Sequence, residues 1–195
     1  MKKYYKILFI AFICSDFLMA DMVFNLGGQQ FFNSVKGNFK DSTYNLKNTV
    51  VSTALKFDKG HYIPNGSGSF QVKLKKPKAK WGVTFDIDAY FGGRGLGVTL
   101  LGKDGDTLTL FFNEQKINID GNVTKIGAFS GNEKILGSLH SDGKVVKVII
   151  NGEYVSILEK PNFKLAYIET NLGTGYYGIR GTPDRLNGLA ISTSD

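Results

Sequence analysis

The chain has 195 residues, 24 Lys and Arg against 17 Asp and Glu, a net charge of +7 and 13% aromatic residues. This length fits one domain able to bury about 70% of its unfolded surface. Its one cysteine, Cys14, lies close to the N-terminus, and only three of the 24 basic residues are Arg. The scarcity of arginine argues against a nucleic-acid reader, which needs bidentate guanidinium contacts.

Lys2, Lys3 and Lys6 form a positive n-region, residues 7–13 are an unbroken apolar run, and Phe17-Leu18-Met19-Ala20 ends in a small residue. The pattern predicts a helical signal peptide over residues 1–20, cut between Ala20 and Asp21. Seven apolar residues are too few to cross a bilayer, which needs about 20. Ile13, not a small residue, precedes Cys14, which argues against lipid attachment. The predicted mature domain, residues 21–195, loses three lysines and one aspartate with the leader and keeps a net charge of +5. It also loses Cys14, so disulfides, thiol nucleophiles and Cys-ligated metals are excluded. The short lysine-rich n-region is of bacterial type, and the expected location is the periplasm.

After residues 21–30, an arm or first edge strand, short β-prone runs alternate with turn signals. Residues 49–57 are β-rich. Over 69–75, Phe70, Val72 and Leu74 alternate with Gln71, Lys73 and Lys75, a half-buried strand with a lysine-bearing outer face. Over 81–91, Trp81, Val83, Phe85, Ile87, Ala89 and Phe91 point one way and Thr84, Asp86, Asp88 and Tyr90 the other. Runs 95–101 and 107–112 form a hairpin around Asp104-Gly105, a preferred type I′ pair. Runs 115–120 and 123–129 form another around Asp120-Gly121-Asn122. Strands over 135–141, 144–150 and 154–158 are joined by Asp142-Gly143 and Asn151-Gly152, and runs 163–170, 176–179 and 186–193 follow. With 24 Gly, four Pro and no sustained 3.6-residue apolar period in the mature chain, the pattern predicts an all-β sandwich or jelly roll.

Three stretches carry a family resemblance. Ser138-Leu139-His140-Ser141, the Asp142-Gly143 turn, residues 144–150 and Asn151-Gly152-Glu153-Tyr154-Val155 resemble the hairpins of laminin-G-like and concanavalin A-like modules. Tyr176-Tyr177-Gly178-Ile179-Arg180-Gly181, with Asp184-Arg185-Leu186 and Leu189-Ala190-Ile191, is similar to their closing strands. Residues 81–91 fit the long central strand. The resemblance implies a concanavalin A-like jelly-roll sandwich of two antiparallel sheets. That superfamily includes lectins, glycan hydrolases and plain adhesion or scaffold domains, so fold does not decide function.

A hydrolase of this fold needs two carboxylates in one cleft, and the Glu-x-Asp-x-x-Glu strand typical of such enzymes is absent from the sequence. Asp86 and Asp88 share one strand face, which reads more simply as a solvated surface. Asp104 and Asp106 flank a turn glycine but are two of the six or more oxygens that calcium takes. His61 and His140 fit no metal or triad motif. Lys73, Lys75, Lys76, Lys78 and Lys80 cluster around Pro77; they suit either an anionic partner or protection of a strand edge. Tyr176, Tyr177, Arg180 and Asp184 suit the rim of a glycan site. Asp120-Gly121-Asn122-Val123-Thr124 matches the extended bacterial N-glycosylation sequon, with Asn122 as acceptor; Asn65-Gly66-Ser67 lacks the upstream acid.

The expectation is therefore an exported, non-catalytic scaffold or interaction protein of a periplasmic envelope assembly, such as a disk around a flagellar motor. It would use no cofactor or metal, bind no nucleic acid, keep no membrane anchor after cleavage, and contact envelope proteins or an anionic or glycan polymer. A lectin-like glycan-binding module is the first alternative and a divergent glycan hydrolase the second.

Overall fold

The structure, a computed structural model, describes residues 21–27, 43–46, 49–52, 55–58, 61–64, 68–90, 95–113, 116–124, 132–172 and 184–194. The signal segment, Asn65, and Tyr176, Tyr177 and Arg180 lie outside the described residues. Every regular element described is a strand. In chain order these are β1 (Asp21–Gly27), β2 (Thr43–Leu46), β3 (Thr49–Ser52), β4 (Leu55–Asp58), β5 (His61–Pro64), β6 (Gly68–Lys78), β7 (Lys80–Tyr90) and β8 (Leu96–Gly102). There follow β9 (Thr107–Phe112), β10 (Ile117–Ile119), β11 (Asn122–Thr124), β12 (Asn132–Asp142), β13 (Val145–Ile150), β14 (Tyr154–Glu159), β15 (Leu165–Leu172) and β16 (Arg185–Ser194).

They form two antiparallel sheets. Sheet A runs β14-β13-β12-β7-β16-β5-β4, with β1 also on β16; sheet B runs β11-β10-β9-β8-β15-β6-β3-β2. The period-2 pattern that defines each strand also supplies the core, because alternate side chains leave opposite faces. Sheet A sends Trp81, Val83, Phe85, Ile87, Leu139, Val146, Val148 and Ile191 inward, and sheet B sends Val72, Leu96, Val98, Leu100, Leu108, Leu110, Phe112 and Ile168 to meet them. Aromatic rings bridge the seam. Phe85 meets Phe112 edge-on with centroids 6.3 Å apart, and Trp81 meets Phe163 at 5.8 Å. Phe85 also lies across Gly137, its cross-strand partner, where a Cβ would sit 2.0 Å from the ring Cζ.

The chain crosses between sheets at Ala79, between β6 and β7. Ser141, wholly buried, donates its Oγ–H to the Ala79 carbonyl at 2.9 Å and accepts from the Gly143 amide at 3.1 Å. The turns follow local chemistry. Asn151 and Gly152 take φ of 53° and 72°, and Asp120 and Gly121 take 51° and 87°, so both hairpins close through type I′ turns. The expected type I′ turn at Asp104-Gly105 is not formed. Only Gly105 has positive φ, at 91°, the Gly105 amide reaches the Gly102 carbonyl, and the Gly102 amide reaches the Asp106 carbonyl at 2.7 Å. With Gly102 bonded to Asp106, Lys103-Asp104-Gly105 make a three-residue loop with a left-handed glycine at its third position.

Candidate functional site

The outer face of sheet A is centred on β7. Asp88 sits in register between Lys134 on β12 and Arg185 on β16. Lys134 reaches diagonally instead, placing its Nζ 2.9 Å from Asp86 Oδ2. Asn187 is the extra residue where the β16–β7 register shifts, and the bulge turns its amide so that Nδ2 donates to Asp86 Oδ1 at 3.0 Å. Both oxygens of Asp86 are thereby engaged.

Beside this polar centre, Leu136, Ile149 and Ile157 lie on successive strands β12, β13 and β14, 38%, 9% and 68% exposed. The registers Gly137↔Ile150, Ser138↔Ile149 and Ile149↔Val155 make each one the diagonal neighbour of the next. Diagonal positions stand about 7–8 Å apart, within reach of large side chains. The three form an oblique apolar stripe that ends on β14, the last strand of sheet A among the described residues. Half-buried His140 and exposed Lys147 face one another beside it. Asp142, at the turn beyond β12, has its carboxyl held below the usual carboxylate range by the amides of Val145 and Lys144, at 2.9 and 2.8 Å.

The outer face of sheet B has another character. Tyr167 on β15 is flanked by Lys73 and Leu101, and two residues along, Glu169 is flanked by Gln71 and Thr99. Gln71 Nε2 donates to Glu169 Oε1 at 3.3 Å. Partial burial raises the Tyr167 phenol, with the nearby Glu169 carboxylate adding to the effect. Phe111 on β9 is 41% exposed, and its ring covers Gly95, where a Cβ would fall 1.9 Å from Cζ. Asn118, its partner on β10, and Asn171, two strands away, extend the face with amides.

The five lysines are divided between the two sheets. Lys73 lies within β6 between β3 and β15, whereas Lys80 starts β7 in the other sheet, paired with Asp142 and Ser194. Pairing of β6 to β3 ends at Leu74, and pairing to β15 jumps from Lys73 to Lys78. Lys75, Lys76 and Pro77 thus occupy a stretch of β6 whose ladder is open on both sides among the described strands, where proline costs no sheet bond. Asp184 is 2% exposed, which corrects its place in a solvent-facing rim. Asp184 stands just before β16, where residue type alone does not report burial. Asp104 and Asp106 are exposed at their loop, and His140 stands on β12 while His61 begins β5, three strands further across sheet A. Among the described residues no three His, Cys, Asp or Glu side chains gather as a metal set. Asn122 is exposed at the start of β11. The oblique stripe and the Phe111–Tyr167 face escaped the sequence reading, because only strand register brings their members together.

No family model matches the chain, and no curated protein does. Solved structures match its fold. SCLam, a non-specific endo-β-1,3(4)-glucanase of family GH16, aligns with a TM-score of 0.59 at 8% identity over 91% of this chain and 92% of its own. The CBM2 module of the evolved Dit of Lactobacillus casei BL23 phage J-1 aligns at 0.54 and 11% identity over 91% and 98%. The metal-free carbohydrate recognition domain of Emp46p aligns at 0.51 and 11% over 75% and 88%. Two antiparallel sheets in this arrangement, shared with a glucanase and a carbohydrate recognition domain alike, give the chain a concanavalin A-like jelly-roll fold.

Proposed function

We propose that the chain is an exported, non-catalytic scaffold protein of the bacterial cell envelope, and that it docks an extended segment of a partner envelope protein along β14, the terminal strand of sheet A among the described residues. The observation that carries this reading is the apolar stripe Leu136–Ile149–Ile157 running out to β14. An open strand offers a row of backbone donors and acceptors, and adding a partner strand satisfies them while side-chain pockets give specificity. Soluble proteins blunt such edges with lysine, proline or bulges. Strand β14 reads Tyr-Val-Ser-Ile-Leu-Glu with none of these, and Lys160-Pro161 stand just past its end. Against catalysis stands Asp86, whose two oxygens already accept from Lys134 and Asn187. A periplasmic ring or disk, such as one around a flagellar motor, is the kind of assembly that uses a rigid sandwich in this way.

The test is recovery of tagged protein from crosslinked envelopes, followed by mass spectrometry, comparing the native chain with Ile157→Lys and Ser156→Pro. Stoichiometric envelope proteins that disappear with both variants support the reading. Partners recovered equally with native and variant protein would refute the β14 edge as their site.

A second reading, a glycan-binding module, is favoured by the outer face of sheet B. Phe111 offers an exposed ring, Tyr167 a phenol, and Gln71, Asn118 and Asn171 offer amides, the mixture that sugar rings and hydroxyls require. The recognition domain of Emp46p and the phage Dit module, which share the fold, lend support. Retention of the protein on peptidoglycan or envelope polysaccharide, lost in Phe111→Ala and kept in Ile157→Lys, would favour this reading over the first.

A further inference from the structure

We infer that Asn122 is the acceptor of an N-linked glycan in the folded protein, and that the ion pair between Asp120 and Lys160 controls how readily it is modified. Residues 120–124 place an acid two positions before Asn122 and a hydroxyl residue two positions after it. The fold sets this sequence where an enzyme can reach. Asp120 and Gly121 occupy the two left-handed positions of a type I′ turn, with the Gly121 amide donating to Asn118 Oδ1 at 2.9 Å. Asn122 is the first residue past the turn and is exposed, Val123 beside it is 59% exposed, and nothing lies within 4 Å of where a Gly121 side chain would begin. Strand β11 is the terminal strand of sheet B among the described residues, so it has a described neighbour on one flank alone.

The reaction needs a lipid-diphosphate-linked oligosaccharide and an oligosaccharyltransferase as co-reactants. The Asn122 amide nitrogen forms a bond to the anomeric carbon. The bond from that carbon to the diphosphate oxygen breaks, the electron pair leaves with the lipid diphosphate, and the amide gives up one proton. The upstream acid of such sequons is the part the enzyme must grasp, and here it is already held. Lys160 Nζ lies 2.6 Å from Asp120 Oδ2, tying the segment after β14 to the β10–β11 turn. Capture of Asp120 by the transferase requires that this pair open. Both side chains are about a quarter exposed, so solvent still reaches the pair and lets it open, and its release speeds modification by up to about fivefold. The attached sugar would stand beside the terminal strand of sheet B and shield that edge from strand pairing.

The inference does not depend on either reading of the partner, and its test does not depend on export. The purified full chain is incubated with a bacterial oligosaccharyltransferase and lipid-linked oligosaccharide, folded and urea-unfolded, and its intact mass is followed. The expected result is a gain of one glycan on the folded chain, absent from Asn122→Gln and Thr124→Ala, with Lys160→Ala modified two- to about fivefold faster than the native chain when folded and at the same rate when unfolded. No gain in either state, a gain on the unfolded chain alone, or a glycan mapped to Asn65 would overturn the assignment of Asn122 in the folded protein. Equal folded rates for Lys160→Ala and the native chain would overturn the role of the ion pair.

Discussion

The outer faces of the two sheets are built on the same alternating pattern and carry different chemistry. On sheet A the polar residues neutralise one another: Lys134 and Asn187 occupy Asp86, and Arg185 stands opposite Asp88. What this leaves for a partner is apolar and oblique, Leu136 to Ile149 to Ile157, ending at a strand edge. On sheet B the exposed Phe111 ring covers a glycine, and the amides of Asn118 and Asn171 lie on the same face. A face of the first kind suits another protein strand; a face of the second kind suits a polyhydroxylated ligand. In an antiparallel sandwich the inner faces are committed to the core, so function is decided by which outer face has unspent contacts.

The difference can be erased by breaking what both faces share. Phe112→Ala removes a fully buried ring that meets Phe85 across the seam and should cost about 3–5 kcal/mol, seen as a fall in the urea midpoint and loss of binding on either face. Gly137→Ala places a methyl against the Phe85 ring. With Phe85 already packed on Phe112, the ring has little room, and the expected loss is about 1–3 kcal/mol.

The next substitutions separate the faces. Ile157→Lys removes an exposed apolar group and should leave unfolding within about 0.5 kcal/mol of native while abolishing partner capture at the β14 edge. Phe111→Ala exposes Gly95 and, should sheet B bind glycan, should weaken retention about tenfold with partner capture unchanged, read by affinity electrophoresis in envelope polysaccharide. The smallest effect concerns Asp142. Its folded carboxyl titrates below the ordinary value of 3.8, so its contribution to stability is present above that value and disappears as pH falls through the lower folded one. Asp142→Asn should therefore lose that small contribution at neutral pH, flatten the acid limb of the stability curve and converge with the native chain below the folded value, as measured by urea unfolding across pH.

Much of this architecture was legible in the sequence because a strand writes its burial into every second residue. The run from Trp81 to Ala89 shows it without interruption, and Asn151-Gly152 and Asp120-Gly121 announce turns whose dihedrals few other pairs accept. What stayed hidden depends on which residue faces which. Leu136, Ile149 and Ile157 are remote from one another along the chain, and a register shift of one residue would scatter them to opposite faces. Asn187 reads as one polar residue among several until the bulge turns it onto Asp86. The Asp104-Gly105 loop was misread because its dipeptide fits two hairpin types, and the strand pairing, not the dipeptide, decides the loop length. The lysine cluster is contiguous in sequence but divided between sheets by the crossing at Ala79.

Trp81 is the chain's one tryptophan, 1% exposed beside Phe163, and among the described residues its indole N–H meets no hydrogen-bond acceptor. An indole so deeply buried against an aromatic neighbour emits at short wavelength, and exposure to water on unfolding moves the emission to the red. The protein therefore contains its own optical reporter at the junction of the two sheets. A shift of that emission to the red records the sandwich opening, with no label and no second tryptophan to confuse the signal.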